Sequence, residues 1–561
     1  MLRNIGFPWR NKIRMKIIIP MSGKGQRFIK GGYIDPKPLI KVEGKPIIHH
    51  VMDMYQDEVD FVFICNETHL KETNMREVLE SYCKTGKIIS IKEHKYGPVY
   101  AVSKVFDLIN DNEAVIVSYC DFSCYWDYSF FKNWVKNNKF DACLPAYKGF
   151  HPHSLQGNNY AFIKEKDYLF EEIKEKEAYT NDKLNEFASS GTYYFSKGLF
   201  LKESFDFLIK NNINVNGEFY CSLAFNYLAR KGLKIGIYEL QHFMQWGTPE
   251  DLEEYNYWSN IFNNLVDTKL FSACKSDGIN IIPMAGKGSR FKKEGYLTPK
   301  PYIEVSKKEM CIQSCLLLPK NKENIFLTLK KDSSQYKLKS KLAKNFKKFD
   351  IFELDNVPKG QLATCREGLV NLKTNKEIII SACDHGVIYN QKKLNSLKKE
   401  FDPDLIVWVT KNYPGAIRNP EMYGWINFDG NQILDISVKK KLLNPHTDPM
   451  IIGTFTFKNI SIFNAASKSL IDRNETVNNE FYLDSCIKDA LNLGFNCRLF
   501  FVENYICWGT PNDLKTFEYW QSCFHKWPIH KYDWQKDILN SNNFSLPSNI
   551  YNAAMPEITC E

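Results

Sequence analysis

Short runs of β-branched and apolar residues recur along the chain, each ended by a glycine-containing or polar segment. Residues 16–20 form the first, and Ile17-Ile18-Ile19 lacks the alternation of a half-exposed strand, which predicts a strand buried on both faces. Residues 46–55 have helical spacing, with Pro46 suited to a first turn. A second strand is predicted over 60–65, a helical stretch over about 67–83, a third strand over 87–91, a helix over 98–109, and a fourth strand over 114–118 that runs into Asp121. Strands and helices in alternation, with near-continuous apolar strands, predict an α/β fold in which a mostly parallel sheet is covered by helices on both faces. Ligands gather beyond the carboxyl ends of such strands, so the loop after Pro20 and Asp121 fall on one rim.

The same order returns in the second half, with strands predicted over 280–283, 324–329 and 377–381, the last running into Asp384. Gly23 and Gly286 are 263 positions apart, as are Lys37 and Lys300, Gly97 and Gly360, and Asp121 and Asp384. Gly191 and Gly453, Glu218 and Glu480, and Trp246 and Trp508 are 262 apart. A register that slips by one residue over this length predicts a tandem duplication: a leader over 1–14, a first domain over 15–262, a linker over 263–277, a second domain over 278–523, and an extension over 524–561. Trp527 and Trp534 in the extension predict a segment hugging the surface, with a loose end after Asn540.

A length of 561 residues is too great for one core, and the period is too long for a solenoid. A chain that is 44% hydrophobic and 25% charged is of ordinary globular type, and no run of about 18 apolar residues predicts a membrane span. The net charge of +9 is spread along the chain, which argues against nucleic acid as a partner. The 16 cysteines form no CxxC pair, and Cys65, Cys120 and Cys383 sit in apolar runs as small hydrophobes, so a reducing, cytoplasmic protein without structural metal is expected. No apolar segment precedes Ile17, so no secretory signal is expected, and 1–14 reads as an optional leader before Met15.

The first strand leads into Gly23-Lys24-Gly25-Gln26-Arg27, and the copy reads Gly286-Lys287-Gly288-Ser289-Arg290. Neither fits a Walker loop, and the third glycine of a dinucleotide fingerprint is missing. What remains is a glycine loop whose backbone N–H groups can approach phosphate, with a forked guanidinium beside it. A plain strand-to-helix turn would not need Lys and Arg twice at one spacing.

The segments PMSGKGQRF…PKPLI and PMAGKGSRF…PKPYI resemble the signature of sugar-phosphate nucleotidylyltransferases, the nucleotide-sugar pyrophosphorylase family, and its capsule-locus and phosphocholine cytidylyltransferase-like branch. The segments 189–195, 217–220 and 246–252 are similar to later family elements, so the resemblance covers roughly 15–260 and 278–520. It implies two tandem Rossmann-like (GT-A-like) nucleotidyltransferase domains and the joining of an NTP (CTP, UTP or dTTP) to a sugar phosphate or similar phosphomonoester, with release of pyrophosphate. The products would be activated precursors of capsule or other surface glycans, made by a monomer or small homo-oligomer. By position, Gly23, Lys24, Gly25 and Gly97 would bind nucleotide with Arg27 and Lys37 at the phosphates, and Asp121 would bind Mg²⁺ unless it is a helix N-cap. Gly286, Lys287, Gly288, Gly360, Gln361, Arg290, Lys300 and Asp384 would do the same in the copy. Lys176, Gly191 and Glu218, and Lys439 and Gly453, would meet the acceptor, although the charged surroundings of Lys176 also fit a solvated face.

Two departures stand out. The glutamine expected to contact the base is kept as Gln361, but Pro98 stands at its place in the first repeat. The second metal carboxylate of the family is an aspartate in a helix; Cys221-Ser222-Leu223 occupies that neighbourhood in the first repeat, leaving Glu218 as substitute, while Glu480 and Asp484 would share one helical face in the second. One repeat could therefore bind nucleotide without turnover. A GT-A glycosyltransferase is a further alternative, but the Asp-x-Asp motif is lacking after Cys120 and Cys383. His49, His50, His151 and His153 are expected at the surface or in an acceptor pocket.

Overall fold

The computed structural model describes residues 14–157, 160–267, 276–439 and 444–540. The chain divides into two compact units after Tyr255, inside the helix Pro249–Leu265.

In the first unit the apolar runs become strands because both their faces are covered: Ile17, Ile18, Ile19, Val62, Phe63 and Ile64 are all inaccessible to solvent. Strand Lys16–Met21 pairs in parallel with Phe61–Asn66 and Val115–Ser118, and Phe61–Asn66 pairs in parallel with Lys87–Ile91. Beyond Val115–Ser118 the sheet turns mixed: Thr192–Phe195 joins antiparallel to Val115–Ser118 and to Ala142–Tyr147. Ala161–Lys166, Leu169–Glu175, Phe187–Ser189 and Ile235–Glu239 complete it. The expected helix over 67–83 is two helices, Glu67–Glu72 and Met75–Tyr82. That over 98–109 stops as α-helix at Ser103.

The second unit repeats the arrangement. Ser276–Pro283 pairs in parallel with Asn321–Leu329 and Ile378–Ser381, and Met450–Phe457 runs antiparallel beside Ile378–Ser381. Each unit adds a two-stranded ribbon after its candidate aspartate: Phe122–Tyr125 with His242–Gln245, and His385–Ile388 with Asn504–Cys507.

Two expectations need correction. All four histidines are buried, because helix Ile47–Asp53 turns His49 and His50 inward, where their Nε2 atoms meet the carbonyls of Val78 and Val42. His151 and His153 pack around Tyr147. Over its described part the extension past Lys526 has no helix or strand; Trp527, Tyr532, Trp534 and Leu539 turn inward while Pro528, Lys531, Gln535 and Lys536 are exposed, and Gln313 Nε2 donates to the Leu539 carbonyl. The loose end expected after Asn540 and most of the leader lie outside the described residues. Glu480 and Asp484 do not share a helix. Glu480 is held in a bridge to Val477 and Phe481 N–H donates to the Lys359 carbonyl, so the chain stays extended and the helix begins only at Cys486.

Candidate active site

Strand Lys16–Met21 ends at the rim, and Gly25, in the left-handed region at φ 66°, turns the chain into helix Gln26–Lys30. No atom lies within 4 Å of where a Cβ would stand on Gly23 or Gly25, so the loop backbone is an open cradle. The copy turns at Gly288, φ 59°, into Ser289–Lys293. The first loop is tied down by Asn66 Nδ2, which donates to the Ser22 carbonyl, and by a 3.0 Å bond between Ser22 Oγ and His94 Nε2.

Prolines flank Lys37 and Lys300 in short 3-10 turns, which fixes their backbone. Lys37 Nζ donates to Asp121 Oδ2 at 2.7 Å, and Lys300 Nζ to Asp384 Oδ2. Burial alone would lower the pKa of both lysines; the facing carboxylates outweigh it and hold them above the ordinary lysine value. Burial would raise Asp384, but Lys300 and His385 hold it well below the usual carboxylate range. Asp121 does not cap a helix: the strand Phe122–Tyr125 follows it, which removes that alternative. The segment 246–252 explains itself here. Trp246 N–H donates to the Asp121 carbonyl, Trp508 N–H to that of Asp384, and a Cβ on Gly247 would stand 3.1 Å from Asp121 Oδ2.

Gly97 and Gly360 line the clefts but serve the backbone. Their φ values are 81° and 99°, and a Cβ on Gly360 would lie 2.6 Å from the Phe481 carbonyl oxygen. This close crossing brings Glu218 and Glu480 to the rim. Tyr220 OH donates to Glu218, and Lys176 Nζ donates to Tyr220 OH at 2.8 Å, so Lys176 is partly buried and tied through Tyr220 to the first cleft without lining it itself. Lys176 and Lys439 share a left-handed backbone, φ 61° and 58°. Burial lowers the pKa of Lys439, against the attraction of Asp484, Glu480 and Asp384.

The first cleft has a volume of about 280 Å³ and is lined by Ser22, Gly23, Gly25, Lys37, His94, Gly97, Asp121, Glu218 and Tyr220. The second, of about 750 Å³, brings together Gly286, Lys287, Gly288, Arg290, Lys300, Gly360, Gln361, Asp384, Lys439 and Glu480. Lys24 instead reaches Glu93, at 3.4 Å, and Arg27 acts on Lys37 and Tyr220 by charge from outside the lining. Gly191 and Gly453 accept from the N–H groups of Tyr119 and Ala382 and so brace the strand ends before Asp121 and Asp384. Asp484 stands behind the second cleft, facing Lys439.

His94, Tyr96 and Tyr100 pack together beside the first cleft, with ring centroids 4.8–6.4 Å apart. The composition of the loop did not single out His94; the repeat could have, because Val357, Lys359 and Ala363 stand at these places in the copy. Among the described residues no three His, Cys, Asp or Glu side chains converge on a metal position. Asp121 and Asp384 each face a lysine ammonium, and as hard carboxylate donors at the cleft they fit a cation such as Mg²⁺. No described helix is long and apolar enough to cross a membrane.

Residues 17–177 match the family of MobA-like NTP transferase domains. The bifunctional protein GlmU of Clostridioides difficile is 27% identical over 233 residues, covering 40% of this chain and 47% of that protein. The glucose-1-phosphate cytidylyltransferase of Salmonella typhimurium is 38% identical over 53 residues, 9% of this chain and 21% of that one. A nucleoside-diphosphate-sugar pyrophosphorylase structure from Vibrio cholerae RC9 aligns at 19% identity and a TM-score of 0.35, covering 42% of this chain and 98% of the other. The chain spans less than half the length of the GlmU proteins it matches. The part of this protein that carries the first loop, Lys37, Asp121 and Lys176 is thus the part similar to an NTP transferase domain.

Proposed function

We propose that the chain is a tandem nucleotidyltransferase, in which each unit joins an NTP to a phosphomonoester and releases pyrophosphate. The observation that carries this reading is the lysine–aspartate pair beside an open glycine loop, built twice at the same rim from residues 84 positions apart. The similarity of 17–177 to NTP transferase domains supports it.

The reaction needs alignment and charge neutralisation more than acid–base chemistry. An oxygen of the acceptor phosphate attacks the α-phosphorus, the bond to the β-phosphate breaks, and pyrophosphate leaves. The acceptor is already ionised near neutral pH, its second pKa being about 6. The backbone N–H groups of Gly23–Gly25 and Gly286–Gly288 hold the triphosphate, with Arg27 and Arg290 beside it. Lys37 and Lys300 carry the charge that grows on the α-phosphate as the bond breaks. Asp121 and Asp384, with Glu218 and Glu480 lining the same clefts, would hold Mg²⁺, which would supply charge to offset the repulsion of the phosphates. Lys176 and Lys439, fixed by Tyr220 and by the Met422 carbonyl, bind the acceptor phosphate. Braced by Gly191 and Gly453, the strand ends keep both aspartates in register.

The two clefts favour different substrates. The second keeps Gln361 for a base and is the larger, while the first offers His94, Tyr96 and Tyr100 at its edge. CTP, UTP or dTTP and a sugar phosphate, polyol phosphate or phosphocholine are the proposed classes, feeding surface-glycan assembly from the cytoplasm. Each of the two units, divided after Tyr255, carries its own loop, lysine and aspartate and would act as a separate catalyst. The test is pyrophosphate release by purified protein with Mg²⁺, each NTP being paired with each acceptor class. Release that requires both partners is expected; none with any pair overturns the reading.

A further inference from the structure

No tail carries the net charge of +9, and the two repeats do not share it. Residues 15–262 hold 29 Lys and Arg against 33 Asp and Glu, while residues 278–523 hold 36 against 26. The surplus is densest over 330–348, with eight lysines and a single acidic residue, Asp332. The same segment of the first repeat, 67–85, has three basic and four acidic residues. Both segments build the same two helices, Glu67–Glu72 and Met75–Tyr82 in the first unit and Lys330–Gln335 and Leu338–Asn345 in the second.

The second pair packs on strands Asn321–Leu329 and Phe349–Leu354, the latter at the edge of its sheet. Ser333, Leu338 and Leu342 are buried, while Lys330, Lys331, Lys337, Lys339, Lys344 and Lys347 are exposed. Lys341 and Lys348 pair with Glu309 and Glu323, but none of those six makes an ion pair among the described residues. Folding gives no reason for this arrangement. Lys330 and Lys331 stand in the first turn of their helix, where the helix dipole disfavours cations, and Leu329 supplies no side-chain cap. At the matching place the first unit has Asn66, which caps the Thr68 N–H, and Glu67, the charge the dipole favours. Six unpaired ammonium groups so close along the chain also repel one another, a repulsion that an anionic partner would relieve.

The form of the face selects the anion. Neither of the two clefts described above is lined by these lysines, so they frame no groove of the kind that tracks a single strand of polyanion. The rings within the segment are engaged: Tyr336 stacks on Tyr302 at 4.7 Å and Phe346 packs on Phe326 at 5.6 Å, which leaves neither to stack on a base. No arginine is present over 330–348 to fork onto single phosphates. Flexible ammonium side chains on an open helical face suit a plane of anionic headgroups, which asks for charge and not for shape. We propose that the face over 330–348 adsorbs the protein to acidic phospholipid membranes, by charge alone and without insertion. This holds or fails independently of the reaction proposed above.

The test is flotation of the full chain with vesicles of phosphatidylcholine, alone or with about one third phosphatidylglycerol, at about 0.1 M salt. Binding is expected only to the anionic vesicles, and should weaken at least about tenfold at about 0.5 M salt. Lys330→Glu, Lys337→Asn and Lys344→Ser together install the first unit's residues at these places and should weaken binding at least about tenfold. Lys392→Glu, Lys399→Asn and Lys468→Ser make the same change of charge on exposed positions of other helices in that unit and should stay within about twofold of the parent. If the first variant fails to fold, Lys339→Ala with Lys344→Ala carries the test, with a loss of at least about fivefold expected. A parent that ignores phosphatidylglycerol vesicles overturns the proposal. So does a control variant that loses as much as the first, since net charge and not the face would then be the cause. Tighter binding at the same salt to single-stranded DNA of about 30 nucleotides, lost in the first variant, would give the face to nucleic acid and overturn it as well.

Discussion

Lys37 and Asp121, 84 positions apart in the chain, meet at 2.7 Å across the rim of the first sheet. Lys300 and Asp384 repeat the contact in the second unit at the same separation. Each lysine is partly buried and faces an open glycine loop, so a positive charge is held ready where phosphate would enter. Lys37→Ala and Lys300→Ala, made separately, are each expected to cost about 10²–10³ in the kcat of their own unit and to leave the other's product unchanged. Product-resolved assays check this; equal loss of one product in both variants would contradict independent units.

The depressed Asp384 makes a pH prediction with a definite sign. Its folded pKa lies below the unfolded carboxylate value of about 3.9, so its contribution is present above that pH and is lost as pH falls through the folded value. The gap in Tm between the parent and Asp384→Asn should be widest near neutrality and narrow below about pH 4. A gap independent of pH would refute the assignment.

Asp251 has the opposite sign. Burial raises it to about 7, against a hydrogen bond from Thr248 Oγ1 at 2.9 Å. A raised folded pKa gives a contribution that is complete below the unfolded value and disappears as pH rises through about 7. Asp251→Asn keeps an acceptor for Thr248 and is expected to be relatively more stable above pH 7 than below pH 4. Thermal melts across that range, followed beside the parent, measure the difference.

Gln361 opens the helix Gln361–Gly368 at the wall of the second cleft. Gln361→Ala should blunt discrimination between NTPs in the second unit by about tenfold, the worth of one or two side-chain hydrogen bonds, and leave the first unit's preference untouched. Competition between paired NTPs reads the ratio directly.

Arg473 grips Asp489 through Nε and Nη2, both at 2.9 Å, while Ser469 donates to the same carboxylate. Asp489 is almost fully buried, so Arg473→Met strands its charge and should cost about 3–5 kcal/mol. Asn211 and Tyr227 stand at these places in the first unit, where Tyr227 stacks on Phe207 at 4.4 Å. Denaturant melts should therefore show the loss in the transition of the second unit.

The sequence by itself determined the local matters. Apolar β-branched runs specify buried strands wherever they pair, and Gly23, Gly25, Pro36 and Pro38 set backbone geometry that does not depend on distant partners. The nearly constant offset of 263 and then 262 positions carried the repeat, and with it the recurrence of Lys37 and Asp121 as Lys300 and Asp384. Tertiary structure decided what depends on which surfaces meet. His49 and His50 look like a surface pair until helix Ile47–Asp53 docks with them inward. Glu480 and Asp484 have helical spacing, but a backbone bridge and the crossing at Gly360 keep that segment extended. The lysines of 330–348 could not be separated from an ordinary solvated run by periodicity. Only the burial of Leu338 and Leu342, which turns the ammonium groups outward together, makes that run different from others, because charge acts through space and not along the chain.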